Sequence, residues 1–122
     1  MSHIVTVKCQ IRDPVALAAA CRRLGLVEPV QGTAELYSGQ ASGLIVNLPG
    51  WRYPVVIDTA TSEIRFDTYN GAWGDKCQLD RLMQAYACEV AKLEARRQGH
   101  QVSETQLPDG SIKLTIQVGG GA

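Results

Sequence analysis

An excess of charge of either sign, paired cysteines and long apolar runs are all missing from this chain of 122 residues. Twelve basic and twelve acidic residues cancel and are interspersed, so no net field draws a polyanion or an anionic membrane. Nucleic acid and membrane are not expected partners. No apolar segment approaches membrane-spanning length, and Met1-Ser2-His3-Ile4-Val5-Thr6-Val7-Lys8 lacks the basic stretch and apolar core of a signal peptide. The expected setting is cytoplasmic. Cys9, Cys21, Cys77 and Cys88 stand singly, with no Cys-x-x-Cys pair, so neither disulfides nor a cysteine metal site are expected.

Catalytic signatures are equally scarce. The two histidines, His3 and His100, have no neighbouring Ser or Cys, and neither Gly-x-Ser-x-Gly nor His-Glu-x-x-His occurs. His100 follows Arg96-Arg97 at a helix end, where positive charge complements the dipole. Gly71-Ala72-Trp73-Gly74-Asp75 enters a helix, but an acid at the cap repels the anion that a phosphate loop would bind. No catalytic residue, metal or cofactor is expected.

What is present describes a folded domain. Apolar residues make up 45% and charged residues 20%, the balance of an ordinary globular protein. Residues 1–118 are expected to form a single α+β domain, with 119–122 a flexible glycine-rich tail. Residues 3–11 alternate as a strand that turns Cys9 inward. Asp13-Pro14 opens a short helix that Gly25 ends. Extended runs follow at Thr33–Tyr37, Leu44–Leu48, Pro54–Asp58 and Glu63–Tyr69, with Gly39 and Gly43 read as connections. Ile64, Phe66 and Thr68 are expected inside, against Glu63, Arg65 and Asp67 outside. Asp75 starts a helix of about 23 residues, roughly 34 Å long, and Asp75-Lys76-Cys77-Gln78 reads as a variant capping box. Gln101–Leu107 and Ser111–Val118 form a hairpin around Pro108-Asp109-Gly110. The expected architecture is a two-layer sandwich, a mainly antiparallel sheet with two helices on one face, ferredoxin-like with added strands.

Aromatics are few: two Trp, four Tyr and one Phe. Five of these fall between Trp51 and Trp73, and most sit in the loops at 50–54 and 69–75. Trp, Tyr and Arg are the types enriched in interface hot spots, so Trp51, Arg52, Tyr53, Tyr69 and Trp73 form a candidate interaction site. Two readings stay open: a binding patch, or a clasp fastening the central hairpin to the long helix. Cys88 is a candidate reactive thiol, because the helical wheel sets it opposite the stripe of Leu79, Tyr86 and Val90.

The block Leu48-Pro49-Gly50-Trp51-Arg52-Tyr53-Pro54-Val55-Val56, the Gly71-Ala72-Trp73-Gly74-Asp75 helix entry, the opening Met1–Lys8 and Asp109-Gly110-Ser111-Ile112-Lys113-Leu114 together resemble a small domain-of-unknown-function family. That family includes a hypothetical reading frame of red-algal plastids and cyanobacteria. The resemblance spans nearly the whole chain and supplies no activity. It implies a soluble single domain that accompanies ATPases of the AAA class.

The expected function is therefore a non-enzymatic protein-interaction or accessory domain, self-associating or docking on a larger machine. The alternative is a small-ligand-binding or redox enzyme that uses a cleft between the 50–54 and 69–75 loops. There Arg52 would hold an anion, and Asp75 or Tyr53 would transfer protons.

Overall fold

A computed structural model describes residues 5–8, 11–69 and 71–117. The chain runs β1 (Val5–Lys8), α1 (Pro14–Arg23), β2 (Val30–Leu36), β3 (Gly39–Val46), β4 (Val55–Asp58), β5 (Glu63–Phe66), α2 (Lys76–Arg97), β6 (Gln101–Gln106) and β7 (Ile112–Gln117). His3, Cys9, Val118 and the 119–122 tail, each given a place from sequence, lie outside the described residues.

Local signals set both helices. Asp13 accepts from Val15 N at 2.9 Å and Ala16 N at 3.4 Å, and Pro14 supplies the first-turn geometry of α1. Asp75 caps α2 by accepting from Cys77 N at 2.9 Å. Gln78, three residues after the cap, lines a small cavity beside Leu26 and Leu48. Both helices carry arginine pairs in their last turns, Arg22-Arg23 and Arg96-Arg97, where positive charge complements the dipole.

Strands β2 to β5 form an antiparallel meander, and β1 pairs antiparallel with β5, giving the order β1-β5-β4-β3-β2. One face packs Val46, Val55, Ile57, Ile64 and Phe66 against Leu17, Ala20, Leu79, Leu82 and Tyr86 of the helices. The other face is covered by no helix among the described residues and holds a smaller cluster, Ala34, Leu36, Ala41 and Val56, with Ile45 and Tyr53 against it. The α+β sandwich with both helices on one face is therefore present.

The strand order does not confirm the ferredoxin-like plan. β1 and β2, joined through α1, run parallel but stand at opposite edges of the sheet, and the strands after α2 leave it for a separate hairpin, β6-β7. Gly39 and Gly43 are not connections but part of β3, and the turn falls at Tyr37-Ser38. A Cβ on Gly43 would lie 2.5 Å from the Ile57 carbonyl oxygen, so glycine there permits close strand approach instead of breaking the strand. β5 ends at Phe66 because the chain turns at Thr68–Tyr69, where Gly71 N and Trp73 N both donate to Thr68 O.

Two polar contacts tie the elements together. The Tyr86 hydroxyl of α2 accepts from Arg12 N and Asp13 N, each at 3.0 Å, and so fixes the entry of α1. On the outer side of α2, Glu104 of β6 accepts a two-pronged bond from Arg23, at 2.7 and 2.8 Å, and pairs with Lys92 at 2.9 Å. Lys92 also reaches Glu89 at 3.1 Å. A two-stranded hairpin is marginal alone, and this cluster joins β6 to both helices.

Removing the hydroxyl leaves two amide donors without their partner, so Tyr86→Phe is expected to cost about 1–3 kcal/mol in urea unfolding; an unchanged midpoint would mean that the hydroxyl anchors nothing. The bonds from Arg23, then Lys92, hold Glu104 at about 2, against an ordinary value of 4.5. A depressed carboxylate stabilises above its unfolded value and loses that contribution as pH falls from about 4.5 toward 2. Glu104→Gln should therefore be less stable than the parent at neutral pH, and the gap should narrow below pH ~4 in unfolding measured at both pH values.

Candidate functional site

The two aromatic loops close directly on each other. Arg52 N donates to Trp73 O at 2.8 Å, and Trp51 Nε1 donates to Asp75 O at 3.0 Å. From this junction the rings part in two directions.

Trp51 turns inward. Its ring meets Phe66 edge-on at 5.8 Å and packs against the main core. Gly74 lies so close to this indole that a Cβ would approach within 2.6 Å of its Cδ2, and only a residue without a side chain fits there. Trp51 is thus the clasp between the β3–β4 connection and the entry of α2.

Trp73 is the centre of a second assembly at the surface. Tyr69 stacks on it at 4.9 Å and 21°, Tyr37 lies at 5.1 Å and Tyr53 at 5.4 Å, the last edge-on. The Arg52 guanidinium lies 5.0 Å from the Trp73 ring centre and 5.7 Å from that of Tyr53. Tyr37 and Tyr69 remain 59% and 44% exposed, whereas Tyr53 and Trp73 are half-buried. Inner rings therefore hold outer ones. The guanidinium of Arg52 makes no ion pair among the described residues. A planar cation stacked on rings is pre-organised, so little side-chain entropy remains to be lost when it binds a carboxylate.

Four of the five residues expected at the site, Arg52, Tyr53, Tyr69 and Trp73, are together, and Trp51 is separate. Tyr37 joins them from the β2–β3 turn, a position whose only sequence signal is a large ring between Leu36 and Ser38-Gly39. Asp67, expected on an exposed strand face, is fully buried; its Oδ1 accepts from Tyr69 N at 3.3 Å and its Oδ2 has no partner. A buried carboxylate with a free oxygen is costly, and it sits two residues before a ring of the patch.

The thiols do not extend the site. Cys88 does lie opposite the core stripe, but it is 6% exposed, a correction to its reading as an outward reactive thiol. The ring of Arg23, Glu104 and Lys92 lies around it, and burial raises the thiol above its ordinary value. Burial, then the charge of Glu28, pushes Cys21 up to about 11. Cys77 is exposed, and its bond to the Asp75 carboxylate raises it. Protonated thiols are poor nucleophiles and poor metal ligands. No three His, Cys, Asp or Glu side chains converge in metal-holding geometry among the described residues.

The enzyme alternative placed its chemistry between the loops, but the loops are hydrogen-bonded to one another, and Asp75 is an exposed helix cap. A cleft of about 740 Å³ lies elsewhere, between α2 and the β6-β7 turn, lined by Cys77, Arg81, Gln84, Asp109 and Ile112 among others. No helix among the described residues is long and apolar enough to cross a membrane. Comparison with family models, with curated proteins and with solved structures gave no match.

Clasp and patch separate experimentally. Trp51→Ala is expected to cost at least about 2 kcal/mol of unfolding free energy. Tyr69→Ala should stay within about 1 kcal/mol of the parent. Equal losses in denaturant titrations would put both rings in the core.

Proposed function

We propose that this chain is a non-enzymatic interaction domain that binds protein through Tyr37, Arg52, Tyr53, Tyr69 and Trp73. The observation that carries the reading is the construction of the patch. Two exposed tyrosines and an arginine that has no ion pair among the described residues rest on a tryptophan that is itself fixed by the loop hydrogen bonds. Aromatic anchors around a half-buried ring, with a guanidinium beside them, have the composition and layout of a binding hot spot.

Two kinds of partner fit: another copy of the chain, or a larger machine in the cytoplasm. The family resemblance argues for an AAA-class ATPase as that machine. Neither reading needs a cofactor, and the balanced charge argues against nucleic acid.

The test is a double variant, Tyr37→Ala with Tyr69→Ala, which removes the two exposed rings and leaves Trp51 and the core in place. It should keep the parent circular dichroism and lose at least about tenfold in self-association, measured by sedimentation equilibrium, or in binding to the host's purified AAA-class ATPase. Unchanged affinity in both assays would sink the patch.

A further inference from the structure

The patch has a cation but no anion of its own among the described residues, and the same chain carries a matching anion on an exposed turn. Most acids among the described residues are already engaged, and Asp80, which is exposed on α2, stands on a helix beside the buried Leu79 and not on a turn with an exposed apolar side chain. Glu28 pairs with Arg22, Glu63 with Arg65, Glu94 with Arg97, and Glu104 with Arg23 and Lys92. Asp13 and Asp75 cap helices, and Glu35 accepts from Gln40. Asp58 closes the Ala60-Thr61 turn, which offers no large apolar side chain.

The β6-β7 turn, Leu107-Pro108-Asp109-Gly110, is different. All four residues are exposed, and Leu107 retains 38% of its surface. Both bonds from Ser111, N at 2.9 Å and Oγ at 2.6 Å, fall on Oδ1 of Asp109, which orients the carboxylate and leaves Oδ2 unengaged. Those bonds also lower the acid below its ordinary value, so it is ionised at neutral pH. Within one molecule the turn is held on α2, where Gln84 donates to Gly110 O at 3.2 Å.

We propose that the occupant of the aromatic patch is a second copy of the chain, which inserts its 107–110 turn so that Asp109 pairs with Arg52 and Leu107 lies against Tyr37 and Tyr69. This rests on the reading of those residues as a binding patch and adds the identity of what binds. The charges are complementary, the guanidinium and the carboxylate are each pre-oriented, and an exposed leucine meets exposed rings. Knob and socket are different surfaces, so the contact is heterologous: each copy offers a socket to one neighbour and a knob to another, and copies add head to tail. A contact of one turn on one patch is small and therefore weak.

The experiment is sedimentation of the full chain from roughly 10 µM to 1 mM, with folding of each variant checked by circular dichroism. The parent should gain mass with concentration. Arg52→Glu and Asp109→Arg should each be monomeric, since each loses one half of the contact. Mixed in equal amounts they should associate again, because the native Asp109 of one variant meets the native Arg52 of the other and the two introduced charges are complementary in turn. The double variant, with the charges exchanged in one chain, should associate again.

A parent that stays monomeric throughout overturns the proposal, as do single charge variants that associate like the parent or a mixture that stays monomeric. A monomeric parent leaves the patch to be judged on ATPase binding alone, and the patch fails if Tyr37→Ala with Tyr69→Ala leaves every binding that the parent shows intact.

Discussion

The two hydrogen bonds that join the loops, Arg52 N to Trp73 O and Trp51 Nε1 to Asp75 O, hold much of the molecule in place. They close the end of the sheet where β3 hands over to β4 and where β5 hands over to α2. Through them the indole of Trp51 is set on Phe66, and the cap of α2 is brought to the edge of the core. The same junction positions Arg52 over Trp73. Clasp and patch are thus consecutive residues of one loop, with Trp51 facing inward and Arg52 outward.

This arrangement puts an inward-facing ring and an outward-facing cation side by side in sequence. The inner face of the sheet owes its burial to the helices, and the outer face to a small set of residues around Val56 and Tyr53. The patch continues that second cluster outward: Tyr53 belongs to both, packing on the sheet and meeting Trp73. A ring anchored in a core is stiff, and stiffness reduces the entropy lost on binding.

Elements announced by local chemistry were legible in the sequence, and features that depend on distant chain were not. Asp13-Pro14 and Asp75 mark helix starts by hydrogen bonds to residues two or three positions on, and the stripe from Leu79 through Val90 marks the buried side of α2. Tyr53, Tyr69 and Trp73 could be named because aromatics in glycine-punctuated loops are visible without a fold, and Arg52 because it stands between two aromatics. Gly43 was misread because its reason for being glycine is the backbone of Ile57 on the next strand. Tyr37 was missed because it meets Trp73 across 36 positions of chain. Cys88 was correctly placed away from the core stripe, yet the hairpin that follows the helix returns over it. Asp67 followed the alternation of β5 onto a polar face that the turn through Tyr69 then closes. The topology could not follow from element order, since nothing local says that strands after α2 will leave the sheet.

Tyr69 has a backbone φ of 48°, in the left-handed region that side chains other than glycine and asparagine seldom occupy. Holding a tyrosine there costs on the order of 1 kcal/mol, and the ring recovers little of that by burial, since it is nearly half exposed. A chain tuned for stability alone would place glycine at this position and keep the same turn. The tyrosine is therefore a cost that the fold carries at its surface: a backbone held in an unfavourable conformation keeps a ring stacked on Trp73 where solvent still reaches it.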